Sequence, residues 1–197
     1  PYQGLDVCDE SDAEFFHGRK TLVSDLVNKL IAEQDFLAIL GPSGSGKSSV
    51  VRAGLIPALR NQGLLALDEN LRLPIIMTPK DDPVANLTEQ LEVTSDDLVE
   101  AVKVYIARHH IDRFVLFIDQ FEELFNMTPK SISKNFLETL TNLIQSDIKM
   151  TIILTMRDDF DQRVHEFAPP HFSRLFTNNQ YRIPSIIDTE EVRSMIV

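Results

Sequence analysis

The octapeptide Gly41-Pro42-Ser43-Gly44-Ser45-Gly46-Lys47-Ser48 restricts the fold more than any other stretch of the chain. It satisfies G-x-x-x-x-G-K-[ST] and stands between an apolar run, Phe36–Leu40, and a segment carrying Val51, Leu55 and Leu59 at helical spacing. In a strand–turn–helix context its glycines let successive N–H groups turn inward around phosphate oxygens, and the helix N-terminus adds a partial positive charge. Lys47 supplies a point charge for the β- and γ-phosphates, and the Ser48 hydroxyl is placed to ligate Mg2+, with Ser49 a lesser helper. A Gly/Ser turn that spelled the motif by chance would lack these flanks. Pro57 is expected to kink the following helix or mark its end.

Apolar runs that read as buried strands recur at 36–40, 73–77, 114–118 and 151–154, with a weaker one at 181–183. Helical patterns fall between them. Asp82-Pro83 reads as an N-cap with a first-turn proline, residues 94–97 as a second cap, and Phe136, Leu137, Leu140, Leu143 and Ile144 as a helix stripe. This alternation predicts a three-layer α/β domain with a mainly parallel five-stranded sheet flanked by helices, the ASCE-type P-loop NTPase architecture.

Phe114–Ile118 is an apolar strand that ends in Asp119, the form of a Walker B element beside a phosphate loop. Asp119 is expected to hold the magnesium, through water. Glu122 and Glu123 follow, and either could polarise the water that attacks the γ-phosphate; the one that does not is a first-turn residue favoured by the helix dipole. The strand at 151–154 leads into Thr155-Met156-Arg157, which brings Thr155 and Arg157 toward the same crevice. Arg157 could sense the γ-phosphate or pair with Asp158 or Asp159 on the surface. Upstream, Phe15-Phe16-His17-Gly18-Arg19 combines aromatic bulk, a glycine turn and a fork-shaped cation, so Phe16, Gly18 and Arg19 could line a base and ribose. His17 has no partner at metal-ligand spacing, and no protein-built metal site is expected.

The formal net charge of −11 opposes attraction to phosphate backbones and anionic lipid, which makes nucleic acid a poor partner. Cys8 is the only cysteine, so no intramolecular disulfide is possible, in keeping with a cytoplasmic setting. No apolar stretch approaches the roughly 20 residues needed to span a bilayer.

Taken together, the opening Pro1-Tyr2-Gln3-Gly4-Leu5, the Phe15–Arg19 element, the loop with Arg52-Ala53-Gly54-Leu55, Asp119–Phe125 and Arg157–Phe160 resemble the novel STAND NTPases. These are relatives of the NACHT and apoptotic signal-transduction ATPases. The resemblance spans nearly the whole chain. It implies an ATP/ADP-dependent switch within a larger multidomain protein, with self-association and with downstream repeat and effector domains as partners. It also implies Arg19 as a nucleotide contact, although Lys20 stands where the family carries glutamate. On this reading 1–34 is a lead-in, 35–187 the nucleotide-binding core, and 188–197 the start of a further helical module, capped by Asp188 with Glu191 three residues on. Two other readings compete. The loop also resembles that of guanylate kinases, against which the Asp119 strand argues. An AAA+ or ABC-type DNA-associated ATPase is disfavoured by the charge and by the lack of a Leu-Ser-Gly-Gly-Gln signature.

Overall fold

The computed structural model of the chain describes residues 19–33, 35–61, 74–95 and 97–183. The expectations placed on Cys8, Phe16, Gly18 and the 188–197 segment lie outside the described residues.

After α1 (Lys20–Glu33), the apolar run predicted as a strand forms β1 (Phe36–Gly41), all of it buried. The glycine-rich loop then feeds α2 (Lys47–Ser49), a widened π segment (Val50–Leu55) and α3 (Ile56–Asn61). Pro57 does not end this helix: it is the second residue of α3, directly after the widened segment. A residue without an N–H, whose ring crowds the carbonyl four residues back, is accommodated by loosening the preceding turn. The Ile56 N–H accordingly donates to the Val51 carbonyl, five residues back.

The remaining elements are β2 (Ile75–Met77), α4 (Pro83–Leu91), α5 (Leu98–His109), β3 (Phe114–Ile118), α6 (Glu123–Asn126), α7 (Lys130–Gln145), β4 (Met150–Arg157), α8 (Asp161–Phe167), α9 (Pro170–Asn178) and β5 (Gln180–Arg182). Both predicted caps form: the Asp82 carboxylate accepts from the Ala85 N–H at 3.0 Å, and Asp97 from the Val99 N–H at 2.8 Å. β4 runs further than the apolar run at 151–154, because it pairs with β1 as far as Gly41 opposite Arg157.

The sheet order is β2-β3-β4-β1-β5, and every pairing is parallel. β4 therefore separates the strand that feeds the loop from the strand that ends at Asp119, as expected of the ASCE arrangement. Side-chain alternation builds the layers. Phe36, Ala38 and Leu40, with Phe114, Leu116 and Ile118, face α4, α5, α7, α8 and α9; Leu37, Ile39, Val115 and Phe117 face α1, the π segment and α3. Truncating such a core leucine or isoleucine to alanine costs about 2–5 kcal/mol. Because the strands are parallel, their carboxyl ends share one edge, and the loop, Asp119 and Arg157 all emerge there.

Candidate functional site

Two glycines shape the loop. Gly44 (φ +74°) and Gly46 (φ +79°) lie in the left-handed region, where a side chain is strained although the surrounding space is open. Gly41 is restricted differently: a Cβ there would stand 3.0 Å from the Ser45 Oγ. Gly46 precedes the helix that starts at Lys47 and offers it no side-chain cap, so the first N–H groups of that helix face the loop. The buried Ser45 Oγ, within the same loop, has no hydrogen-bond partner among the described residues. Pro42 and Ser43 form the outer turn, where the Ser45 N–H donates to the Pro42 carbonyl at 3.2 Å.

Lys47 folds back over this turn. Its Nζ donates to the Gly41 carbonyl at 2.9 Å and the Pro42 carbonyl at 2.8 Å. Burial holds its pKa below the usual lysine value, against the opposing fields of Glu122, Asp158 and Asp119. An ammonium partly withdrawn from water gains more from an incoming anion than a solvated one does.

Asp119 is 2% exposed and lies at the centre of the arrangement. Its Oδ1 accepts from the Ser48 Oγ at 2.7 Å, the Thr155 Oγ1 at 2.6 Å and the Gln120 N–H at 3.1 Å, while Oδ2 accepts from the Arg52 Nη2 at 3.2 Å. Sequence reasoning placed Ser48 and Asp119 together, and they are in direct contact. It missed Arg52. The available signal was its place four residues beyond Ser48 on the same helix, the spacing that brings two side chains to one face. Thr155 was expected to reach toward phosphates; instead its hydroxyl supports Asp119. Strand alternation explains this, since Ile153 faces the helices that follow the loop and Thr155, two residues on, takes the same side.

The two glutamates are set apart by α6. Glu122 precedes it, and its Oε2 accepts from the Arg157 N–H at 3.2 Å, tying it to the end of β4; Glu123 is the first residue of the helix. Of the two, Glu122 is the one whose field reaches Lys47. The Arg157 guanidinium takes the surface alternative: its Nε and Nη2 donate to the Asp159 carboxylate at 3.0 and 2.7 Å, beside the Phe160 ring. Ser49 lies one residue beyond Ser48, at the end of α2, and Arg19 immediately precedes α1. Gln120 has a positive φ of 54°, unusual for a residue with a side chain, at the turn that leaves β3.

Among the described residues there is no group of three or more His, Cys, Asp or Glu that could hold a metal by itself. A hydroxyl and a carboxylate beside an anion-binding loop instead suit a hard divalent ion that takes its other ligands from phosphate and water. Among the same residues, no helix is long and apolar enough to cross a membrane.

Comparison with known proteins adds three findings. The sequence pattern of the family described as Novel STAND NTPase 1 (nSTAND1) matches residues 1–197. An uncharacterised ABC transporter ATP-binding protein of Sinorhizobium fredii is 52% identical over 56 residues, 27% of this chain and 16% of that protein. The fold is similar to that of the Aeropyrum pernix ORC2 protein, solved as ADPNP–ADP complexes, with a TM-score of 0.59 at 14% identity over 94% of this chain and 50% of that one. The chain thus spans half or less of the length of both.

Proposed function

This chain belongs to the novel STAND NTPase 1 family, and from that premise we propose that it is the ATP- and ADP-binding core of a signalling switch that hydrolyses ATP to ADP and phosphate. The observation that carries the reading is the direct 2.7 Å contact between Ser48, at the helix start beside the loop, and Asp119, at the end of β3. It brings a metal-ligating hydroxyl, a buried carboxylate and a phosphate cradle to one point. Membership of an NTPase family also favours hydrolysis over the guanylate-kinase alternative.

In this reading Gly41 to Gly46 and the open helix start bind the phosphates, and Lys47 moves from its loop carbonyls onto the β- and γ-phosphates. Ser48 and Asp119 would hold Mg2+, which would supply charge neutralisation at the phosphates. Glu122, which is tied to the end of β4 and whose charge acts on the loop lysine, is the better placed of the two glutamates to take a proton from the attacking water. Arg157 senses the γ-phosphate only after it leaves Asp159, an exposed pair worth no more than about 1 kcal/mol. Differential contact with the γ-phosphate would then favour one of two arrangements of the parent protein, through self-association and through repeat and effector domains beyond this core. The lone thiol fits a cytoplasmic setting. Phe16, Gly18 and Arg19 are proposed to meet the base and ribose.

Single-turnover hydrolysis tests the assignment. Glu122→Gln is expected to keep ATP affinity and slow phosphate release by on the order of 100-fold, with Glu123→Gln near wild type. The reverse ranking would transfer the role to Glu123, and no hydrolysis by the full-length protein would remove the ATPase reading.

A further inference from the structure

Asp119 already carries a cation. A carboxylate this thoroughly withdrawn from water cannot stay ionised at low cost unless its oxygens are hydrogen-bonded and its charge is balanced. The three donors on its Oδ1, from Ser48, Thr155 and the Gln120 backbone, are neutral dipoles. The charged donor is Arg52, whose Nη2 lies 3.2 Å from Oδ2. A guanidinium does not deprotonate in proteins, so the positive charge beside Oδ2 is a permanent one. Arg52 sits in the π segment, on the same helix as Ser48, with its guanidinium 6.0 Å from the centroid of the Phe117 ring.

We propose that Arg52 is a positioning residue that acts as the resident counter-cation of Asp119, holding the carboxylate in place before nucleotide arrives and competing with magnesium for it afterwards. The inference rests on the reading of Ser48 and Asp119 as the magnesium side of the site. Its physical basis is that two cations drawn to one carboxylate repel each other. The Arg52 contact is made through one nitrogen rather than a bidentate fork, a geometry that fixes the carboxylate yet leaves the contact free to be given up. Without Arg52 the metal-free site would present an unbalanced buried anion to an anionic ligand, and nucleotide binding would lean more heavily on magnesium.

The test is calorimetric ADP binding, with magnesium and with EDTA, to wild type, Arg52→Gln and Arg52→Lys. In Arg52→Gln the ratio of affinity with magnesium to affinity in EDTA should rise about tenfold or more, the worth of one charge-assisted hydrogen bond. Arg52→Lys, which keeps the charge, should stay within about threefold of wild type. An unchanged ratio in Arg52→Gln, or a Lys variant that behaves like the Gln variant, overturns the proposal. A second measurement needs no nucleotide: a double-mutant cycle of Arg52→Gln and Asp119→Asn on urea unfolding. The Arg52→Gln effect should shrink by about half or more in the Asp119→Asn background, and additive effects would overturn the pairing. Folding of Arg52→Gln only alongside Asp119→Asn would be the same coupling in its strongest form. If wild type bound no nucleotide, the function proposed above would fall while the cycle still decided the role of Arg52.

Discussion

Two helices of this domain begin in opposite ways. α5 starts behind Asp97, whose carboxylate accepts the Val99 and Glu100 N–H groups and places a negative charge at the positive end of the helix. The helix that starts at Lys47 begins behind Gly46, in the left-handed region, with no side-chain acceptor. The first is closed by the chain's own anion; the second is left open beside a partly buried lysine. A missing side-chain cap does not by itself set the loop helix apart, since α6, α7, α8 and α9 also begin without one. The contrast teaches that left-handed glycines and a partly buried lysine leave room and charge for an external anion at the second start, where α5 supplies its own.

Moving the cap from one helix to the other breaks the comparison most severely. Gly46→Asp puts a carboxylate beside Lys47, where phosphate is proposed to sit, and ADP affinity measured by calorimetry should fall by on the order of 100-fold or more. Gly46→Ala adds no charge but forces a Cβ into the left-handed region, at a cost of about 1–2 kcal/mol in urea unfolding. Asp97→Ala removes the closed cap and should cost about 1 kcal/mol, with ADP affinity unchanged. The smallest effect is that of pH. Lys47 must be protonated to bind phosphate, and its pKa in the free protein lies below the usual lysine value of 10.5. Affinity should therefore decline as pH rises, with the loss setting in below that of an ordinary lysine, as read by calorimetric ADP titrations of the wild type across the alkaline range.

Much of this arrangement was legible from local pattern. The strand–turn–helix setting of the loop and the caps at Asp82 and Asp97 depend on residues that are neighbours in sequence and form as read, and the strands form at the expected places with different ends. What escaped depends on non-local geometry. Arg52 meets Asp119 only because β4 sets the spacing between the loop strand and β3, and no periodicity encodes a contact between residues so far apart. The support that Thr155 gives Asp119 could have been inferred from strand alternation, but only once β4 was known to extend beyond residue 154. The widened turn before Pro57 replaces the stop that was one of the two expected outcomes there, because the helix continues into α3 beyond the proline. Glu122 and Glu123 were equivalent in sequence and separate only when α6 begins at the second of them.

The most direct test of the account is a calorimetric titration of ATP and of ADP, each with magnesium, into wild type and Lys47→Ala. The account predicts binding of both nucleotides at one site in wild type and its loss in Lys47→Ala, with the variant still folded by circular dichroism. Equal affinity in the two proteins would contradict the central claim that the loop from Gly41 to Ser48 is where this domain holds its nucleotide.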